Sequence, residues 1–307
     1  MISLLQSPEE MILMNSSIDG GDTVDDIYSI IQSMAKKIQA VNTDDGDYIG
    51  EDGLLMCGKC HTPKQCRLQL PGDESKTIVV PVTCQHQREE MKAEEERLER
   101  ERFELRVREI RRVGISDAEF EDWTFENDDR KNPKLSDAMK RYADNFQEMK
   151  EKNLGLLLYG NVGTGKTYYA ACIANALIDK GIPVLMTNFI RIINKIQTLY
   201  TEDRQHYLDE LQNFPLLIID DLGAERQSEF MLEQVYNIID ARYRSGLPLI
   251  MTTNIDIELI KNPPDIRYAR IYDRVLEMCH PVKVDGNSRR RERLKKQFAE
   301  RQELLGL

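Results

Sequence analysis

Five short apolar runs punctuate the second half of the chain, at residues 154–159, 183–187, 216–219, 248–252 and 281–284. Runs of that length bounded by turn residues read as buried strands, while the longer stretches between them repeat apolar positions every three or four residues, the period of a helix. Strands alternating with helices predict an α/β fold in which a mostly parallel sheet is covered by helices on both faces. The first half is patterned differently. Residues 24–41 place Ile27, Ile30, Ile31, Met34 and Ile38 on one side of a helix, as a core face or a docking face. Residues 54–86 are short, polar and cysteine-bearing. From residue 88 to 112 the chain is almost all charge, with opposite signs three and four apart, which predicts a solvated helix braced by ion pairs. Met91, Leu98 and Leu105 fall seven apart, with Phe103 and Ile110 beside them. That seam is too short for a coiled coil, so a spacer helix is expected. Three regions follow: 1–87, a charged linker helix at 88–113, and a globular domain at 114–307.

Composition narrows the function classes. A chain of 307 residues fits about two domains. Asp and Glu number 53 against 42 Lys and Arg, a formal net charge of -11, which argues against coating nucleic acid by bulk charge and confines any such contact to a local basic patch. No apolar run approaches the ~20 residues of a bilayer crossing, and the start of the chain lacks a basic segment followed by an apolar one. The expectation is a cytoplasmic protein with no membrane partner, whose six cysteines serve metal binding or packing before disulfides.

Gly160-Asn161-Val162-Gly163-Thr164-Gly165-Lys166-Thr167 fits G-x-x-x-x-G-K-[ST] at every fixed position, after a predicted strand and at the start of a predicted helix. Such a loop wraps an anion in backbone N–H groups at a helix N-terminus. Lys166 can reach the β- and γ-phosphates, and the Thr167 hydroxyl can hold Mg²⁺. The strand at 216–219 then runs into Asp220-Asp221. Strand alternation would send these carboxylates to opposite sides, Asp220 to the metal and Asp221 to the attacking water, with Glu225 as an alternative base. The run at 248–252 leads into Thr253-Asn254, which puts an amide beside the γ-phosphate. Arginines follow at 267, 270 and 274, and at 289, 290 and 291. Their fork suits charge on a transferring phosphoryl group.

These residues resemble the ATPase domain of the DnaC/IstB group of the AAA+ superfamily. The resemblance covers about 115–295, on residues 156–167, 216–226, 252–254, 270–275 and 285–290. It implies a P-loop AAA+ domain without a full helical lid, too few residues following the last strand to build one. It also implies roles: Asn254 is similar to the sensor-1 residue, Arg274 to the arginine finger that reaches a neighbouring subunit's ATP (Arg270 being the runner-up), and Arg290 to the sensor-2 arginine, with Arg289 and Arg291 leaving the register open. Asp221 stands where many members have Glu, which implies slow hydrolysis.

Cys57-Gly-Lys-Cys60 and Cys84-Gln-His86 form two short ligand pairs, a spacing that fits a closed Cys₃His zinc site. Cys66 and His61 are spare ligands, while Cys172 and Cys279 read as packing residues. Members of the loader branch have a similar N-terminal zinc module that contacts the helicase. The resemblance therefore implies an ATPase, using ATP, Mg²⁺ and Zn²⁺, that loads a hexameric replicative DNA helicase onto single-stranded DNA and self-associates in the presence of ATP. The alternatives are an IstB-type transposition helper and a non-hydrolysing, ATP-switched adaptor.

Overall fold

The computed structural model describes residues 46–70, 73–115, 117–223 and 229–305. The helix expected at 24–41 and the alternative base Glu225 lie outside the described residues. The chain divides into two compact units, residues 1–101 and 102–307.

In the first unit, β1 (Tyr48–Ile49) pairs antiparallel with β2 (Leu55–Met56), and β3 (Gln65–Leu70) with β4 (Asp73–Pro81). The apolar core there is slight: Leu54, Cys57, Val80 and Cys84 are its buried apolar residues among those described. A buried ion pair, Lys64 to Asp47 at 2.7 Å, does part of the holding, and Asp47 also accepts from the Gly58 N–H at 3.1 Å. An unpaired charge in that position would be costly, so each member requires the other.

The charged helix α1 runs from Gln85 to Gly114, three residues earlier than expected, and the unit boundary falls inside it. Arg97 bridges Glu94 and Glu101 at 2.6 and 2.9 Å, as the charge spacing predicts. The apolar seam is not where the heptad put it. Met91 and Leu105 stay 48% and 62% exposed. Instead Val107 and Ile110 pack on the core of the second unit, and Phe103 lies over Gly181. Positions 103, 107, 110 and 114 share one stripe at spacings of four, three and four, on the line beside that of Met91, Leu98 and Leu105. Gly114 closes that stripe: a Cβ there would meet the Val184 carbonyl at 2.1 Å. Arg111 fastens the same face, bonding Asn175 and Asp179. The second half of the expected spacer is thus a packed part of the second unit.

That unit begins with α2 (Ala118–Glu121), α3 (Pro133–Asp144) and α4 (Phe146–Glu151). Then come β5 (Gly155–Tyr159), α5 (Lys166–Asp179), β6 (Val184–Asn188), α6 (Phe189–Thr198) and α7 (Thr201–Asn213). It ends with β7 (Leu216–Leu222), α8 (Glu229–Ser245), β8 (Leu249–Thr253), α9 (Ile257–Lys261), α10 (Ile266–Met278), β9 (Cys279–Lys283) and α11 (Arg289–Leu305). The five strands β5 to β9 form one sheet in the order β6-β7-β8-β5-β9, parallel throughout. The expected α/β architecture is present, and among the described residues a single helix follows the last strand.

Alternation along each strand splits the core in two. Leu156, Leu158, Leu216, Ile218 and Ile250 face one layer with α3 and α5; Leu157, Leu217, Ile219, Leu249 and Met251 face the other with α6, α8 and α10. At the lower edge Arg242 of α8 is wholly buried, without a carboxylate. It donates to the carbonyls of Phe214 at 3.0 Å and Pro248 at 2.6 Å, just ahead of β7 and β8. After β5 the chain leaves for β6 at the far edge of the sheet. The strands flanking β5, β8 and β9, are therefore later arrivals, and the crevice above its carboxyl end is the place where open α/β sheets take ligands.

Candidate functional site

The loop after β5 occupies that crevice. Gly163 has φ +82° and carries the contact with the far end of the chain: its carbonyl accepts from the Arg289 N–H at 2.9 Å. A Cβ at Gly163 would fall 2.3 Å from the Ser288 Oγ, so no side chain fits between loop and helix. The Ser288 hydroxyl in turn accepts from the Arg291 N–H, starting α11 beside the loop. Val162 is exposed at the tip, and the Thr164 hydroxyl donates to the Asn161 carbonyl at 3.0 Å.

Lys166 is buried, and burial pushes its ammonium pKa down, against the pull of Asp221 and Asp220. Its Nζ donates to the carbonyls of Gly160 and Asn161 at 3.0 and 2.8 Å, and to the Asn254 Oδ1 at 2.7 Å. The Asn254 amide, beyond the end of β8, passes the connection on: its Nδ2 donates to the Asp221 Oδ1 at 2.9 Å. Lysine, amide and acid thus form one chain of hydrogen bonds, from residues 88 and 33 positions apart in sequence.

The expected alternation of Asp220 and Asp221 does not hold. The β7–β8 register slips between Ile219 and Leu222, so both acids oppose the single residue Thr252, as in a β-bulge. Asp221 has φ +61°, the left-handed region that Asp and Asn tolerate better than other non-glycine residues. Asp220 is half-buried, and burial raises its carboxyl pKa, opposed by hydrogen bonds from the Thr252 and Thr167 hydroxyls. A half-buried acid with a hydroxyl on either side fits a divalent cation at the phosphate loop, with Asp220 and Thr167 as its protein ligands.

The arginines separate by partner. Arg289 is drawn to Asp129 at 3.1 Å and Asp128 at 3.7 Å, and lies 5.8 Å from the centroids of Tyr168 and Tyr169. Arg290 instead packs its Cβ 3.5 Å from the Cβ position at Gly163, and its charge is felt at Lys166. Arg289 also reaches the loop, its Nε 3.7 Å from the Cβ position at Gly165, so both arginines stand beside it. Arg274, on α10, is engaged within its own layer of helices. It pairs with Asp240 at 2.8 Å, lies 4.7 Å over the Tyr236 ring, and leaves a buried Nε without a hydrogen-bond partner. Arg270, one turn earlier, is exposed. The Asp128–Asp129 contribution leaves no signal in the sequence, since two adjacent acids in a loop look like solvated charge.

In the first unit the sulfurs of Cys57, Cys60 and Cys84 all lie within 4.8 Å of one another. The start of α1 points at them: the His86 N–H donates to the Cys60 Sγ at 3.4 Å and the Gln87 N–H to the Cys84 Sγ at 3.5 Å. The Thr62 hydroxyl, 3.0 Å from the Cys60 Sγ, is the main cause of a thiol pKa lowered to about 6. Three converging sulfurs, one of them readily ionised, suit a thiophilic ion. The expected fourth ligand is not with them. The His86 Nε2 is 3.0 Å from the Glu90 carboxylate, because an acid one turn along the helix captures the ring. The spare ligands are elsewhere: the His61 Nδ1 bonds the Tyr48 hydroxyl at 3.1 Å, and Cys66 pairs with Val80 across β3 and β4.

Comparison with known proteins bears on this site. The profile of the family described as IstB-like ATP binding protein matches residues 83–297. A replicative helicase loader DnaI of Bacillus subtilis is 28% identical over 183 residues, 54% of this chain and 58% of that protein, so the chain matches little more than half of that relative's length. A replicative helicase loader DnaC of Buchnera aphidicola is 28% identical over 214 residues, 66% of this chain and 81% of the relative. A crystal structure of DnaI superimposes with TM-score 0.48 and 25% identity, covering 57% of this chain and 94% of that one.

Proposed function

The chain belongs to the family of IstB-like ATP binding proteins, and on that footing we propose that it is an ATP-hydrolysing loader that delivers a hexameric replicative DNA helicase to single-stranded DNA. In this reading the loop 160–167 wraps the triphosphate, and Lys166 leaves its loop carbonyls for the β- and γ-phosphates. Thr167 and Asp220 hold Mg²⁺, which when bound neutralises phosphate charge. Asp221 orients the attacking water and Asn254 senses the γ-phosphate. Arg290 acts beside the same phosphate from α11. Arg274 or Arg270 reaches the nucleotide of a second copy, so the chain self-associates when ATP is present. Asp221 is shorter than the glutamate many relatives use and is occupied by the Asn254 amide, which makes hydrolysis slow.

Zn²⁺ bound by Cys57, Cys60 and Cys84 would hold together a unit with little core. The three sulfurs carry the site in this reading, because the His86 ring is held by Glu90 and lies apart from them. The observation that carries the loader reading is the union, in one chain, of this nucleotide site with a separate cysteine-clustered unit, in a family whose similar members include proteins named replicative helicase loaders. The transposition helper, the second reading, rests on the family description itself.

The test is capture of the full chain on the host's purified replicative helicase and, in parallel, on a transposase, with ATP and with Lys166→Ala. Retention on the helicase alone, lost in its ATP-dependent part by Lys166→Ala, is the expected result. Retention on the transposase alone would overturn it.

A further inference from the structure

The geometry points to Thr252 as the residue that positions both acids of the nucleotide site. This rests on the reading of Asp220 as a metal-binding acid and Asp221 as the acid facing water. Thr252 lies on β8 opposite the bulge, and one hydroxyl serves both sides of it. Its Oγ1 donates to the Asp220 Oδ1 at 2.6 Å and accepts the Asp221 N–H at 2.8 Å. Thr252 itself is buried, so neither bond has water as a ready substitute.

Each bond has a separate consequence. The donated proton ties down one oxygen of Asp220, so the carboxylate presents its other oxygen in a fixed direction. The accepted N–H fixes the peptide ahead of a left-handed residue, a conformation that is unfavourable for an aspartate and does not hold itself. That peptide sets where the Asp221 side chain starts, and the Asn254 amide then fixes where it ends. The neighbouring hydroxyl works from the opposite face of β8: Thr253 donates to the Leu222 carbonyl at 2.8 Å, directly after the bulge, and accepts the Ile255 N–H. Threonine at two successive positions therefore stitches the bulge on both faces of the strand, and Thr252 is the stitch facing the site. Valine has the same shape and β-propensity, so folding of β8 alone does not require threonine at 252.

The test uses the full chain with three substitutions: Thr252→Val, which keeps shape and removes the hydroxyl; Thr252→Ala, which removes both; and Thr252→Ser, which keeps the hydroxyl. Binding of a fluorescent ATP analogue is titrated with EDTA present and then against Mg²⁺, and kcat and KM are measured separately. Positioning predicts that Val and Ala leave EDTA affinity within about twofold of wild type, raise the Mg²⁺ needed for half-saturation about tenfold, and lower kcat at least tenfold. It predicts that Ser behaves as wild type in all three. If Val does not fold, Ala against Ser decides the same question.

Wild-type Mg²⁺ dependence and kcat in Val or Ala would overturn the assignment while leaving the nucleotide site intact, as would an equal defect in Ser. A wild-type chain that binds the analogue without any Mg²⁺ dependence would overturn both the assignment and the reading beneath it.

Discussion

Replacing Arg242 by methionine gives the sharpest test of how the sheet is held. The guanidinium is fully buried, and its Nη atoms reach four backbone carbonyls: Phe214 and Pro248 at 3.0 and 2.6 Å, Gln212 and Pro215 at 3.4 Å. Methionine keeps the length and apolar stem but donates nothing. Counting only the two short bonds, each orphaned carbonyl costs about 1–3 kcal/mol. Against this stands relief from burying a charge with no acid beside it, a burial that pulls the guanidinium pKa down to about 10. The net expectation is a loss of about 2–4 kcal/mol, or roughly 4–16 °C in Tm for a domain of this size. Urea unfolding of the full chain, followed by tryptophan fluorescence, reports it, since Trp123 is the sole tryptophan and packs on the core of the second unit. ATP affinity well below the melt should be unchanged, because the carbonyls lie at the opposite ends of β7 and β8 from Asp220 and Asn254. A variant within about 0.5 kcal/mol of wild type would show that water satisfies those carbonyls and would refute the reasoning.

Asn254→Asp puts an acceptor against the Asp221 carboxylate where an N–H now donates, so kcat is expected to fall about 100-fold with ATP affinity within about fivefold; a change in KM alone would contradict this. Stability should decline as pH rises above 9.0, because burial holds the thiol pKa values of Cys172 (to about 12) and Cys279 above their ordinary value. The unfolded chain then sheds protons that the native chain keeps, at about 1 kcal/mol per thiol between pH 9 and 10, and Cys172→Ala with Cys279→Ala should flatten the decline in denaturant titrations. Metal analysis of purified protein is expected to find about one zinc per chain, lost in Cys84→Ser, and chelation should unfold the first unit while the second still melts at its own temperature.

The strands and the phosphate loop were legible because each is written as a contiguous apolar run or a fixed spacing. Residues 216–219 could hardly be anything but a buried strand, and the glycine-lysine-threonine pattern has few other uses. The bulge at Asp220 and Asp221 was not legible, because a left-handed residue leaves no periodic trace; only the choice of Asp over Glu at 221 hinted at it. The seam of α1 was misplaced because two neighbouring lines share the spacing of seven, and the packed one runs through Phe103 and Ile110 while Met91 and Leu105 stay exposed. The capture of His86 was readable in principle, as Glu90 stands four residues on. Arg242 was not, since an arginine on an amphipathic helix ordinarily faces water and nothing local says that strand entries lie behind it. The arginines after β9 carry no register of their own, being three in a row, and two of them, Arg289 and Arg290, lie against the loop.

The peptide shared by the loop and the last helix has a mechanical meaning. Because the Arg289 N–H rests on the Gly163 carbonyl with no space between Gly163 and Ser288, that carbonyl cannot turn without moving the root of α11. The helix is then a lever whose short arm lies in the nucleotide site and whose long arm carries Leu294 and Phe298, 53% and 63% exposed. Linkage makes such a lever reversible: a partner that grips the long arm and favours one loop geometry changes ATP affinity by the same factor by which ATP changes the grip.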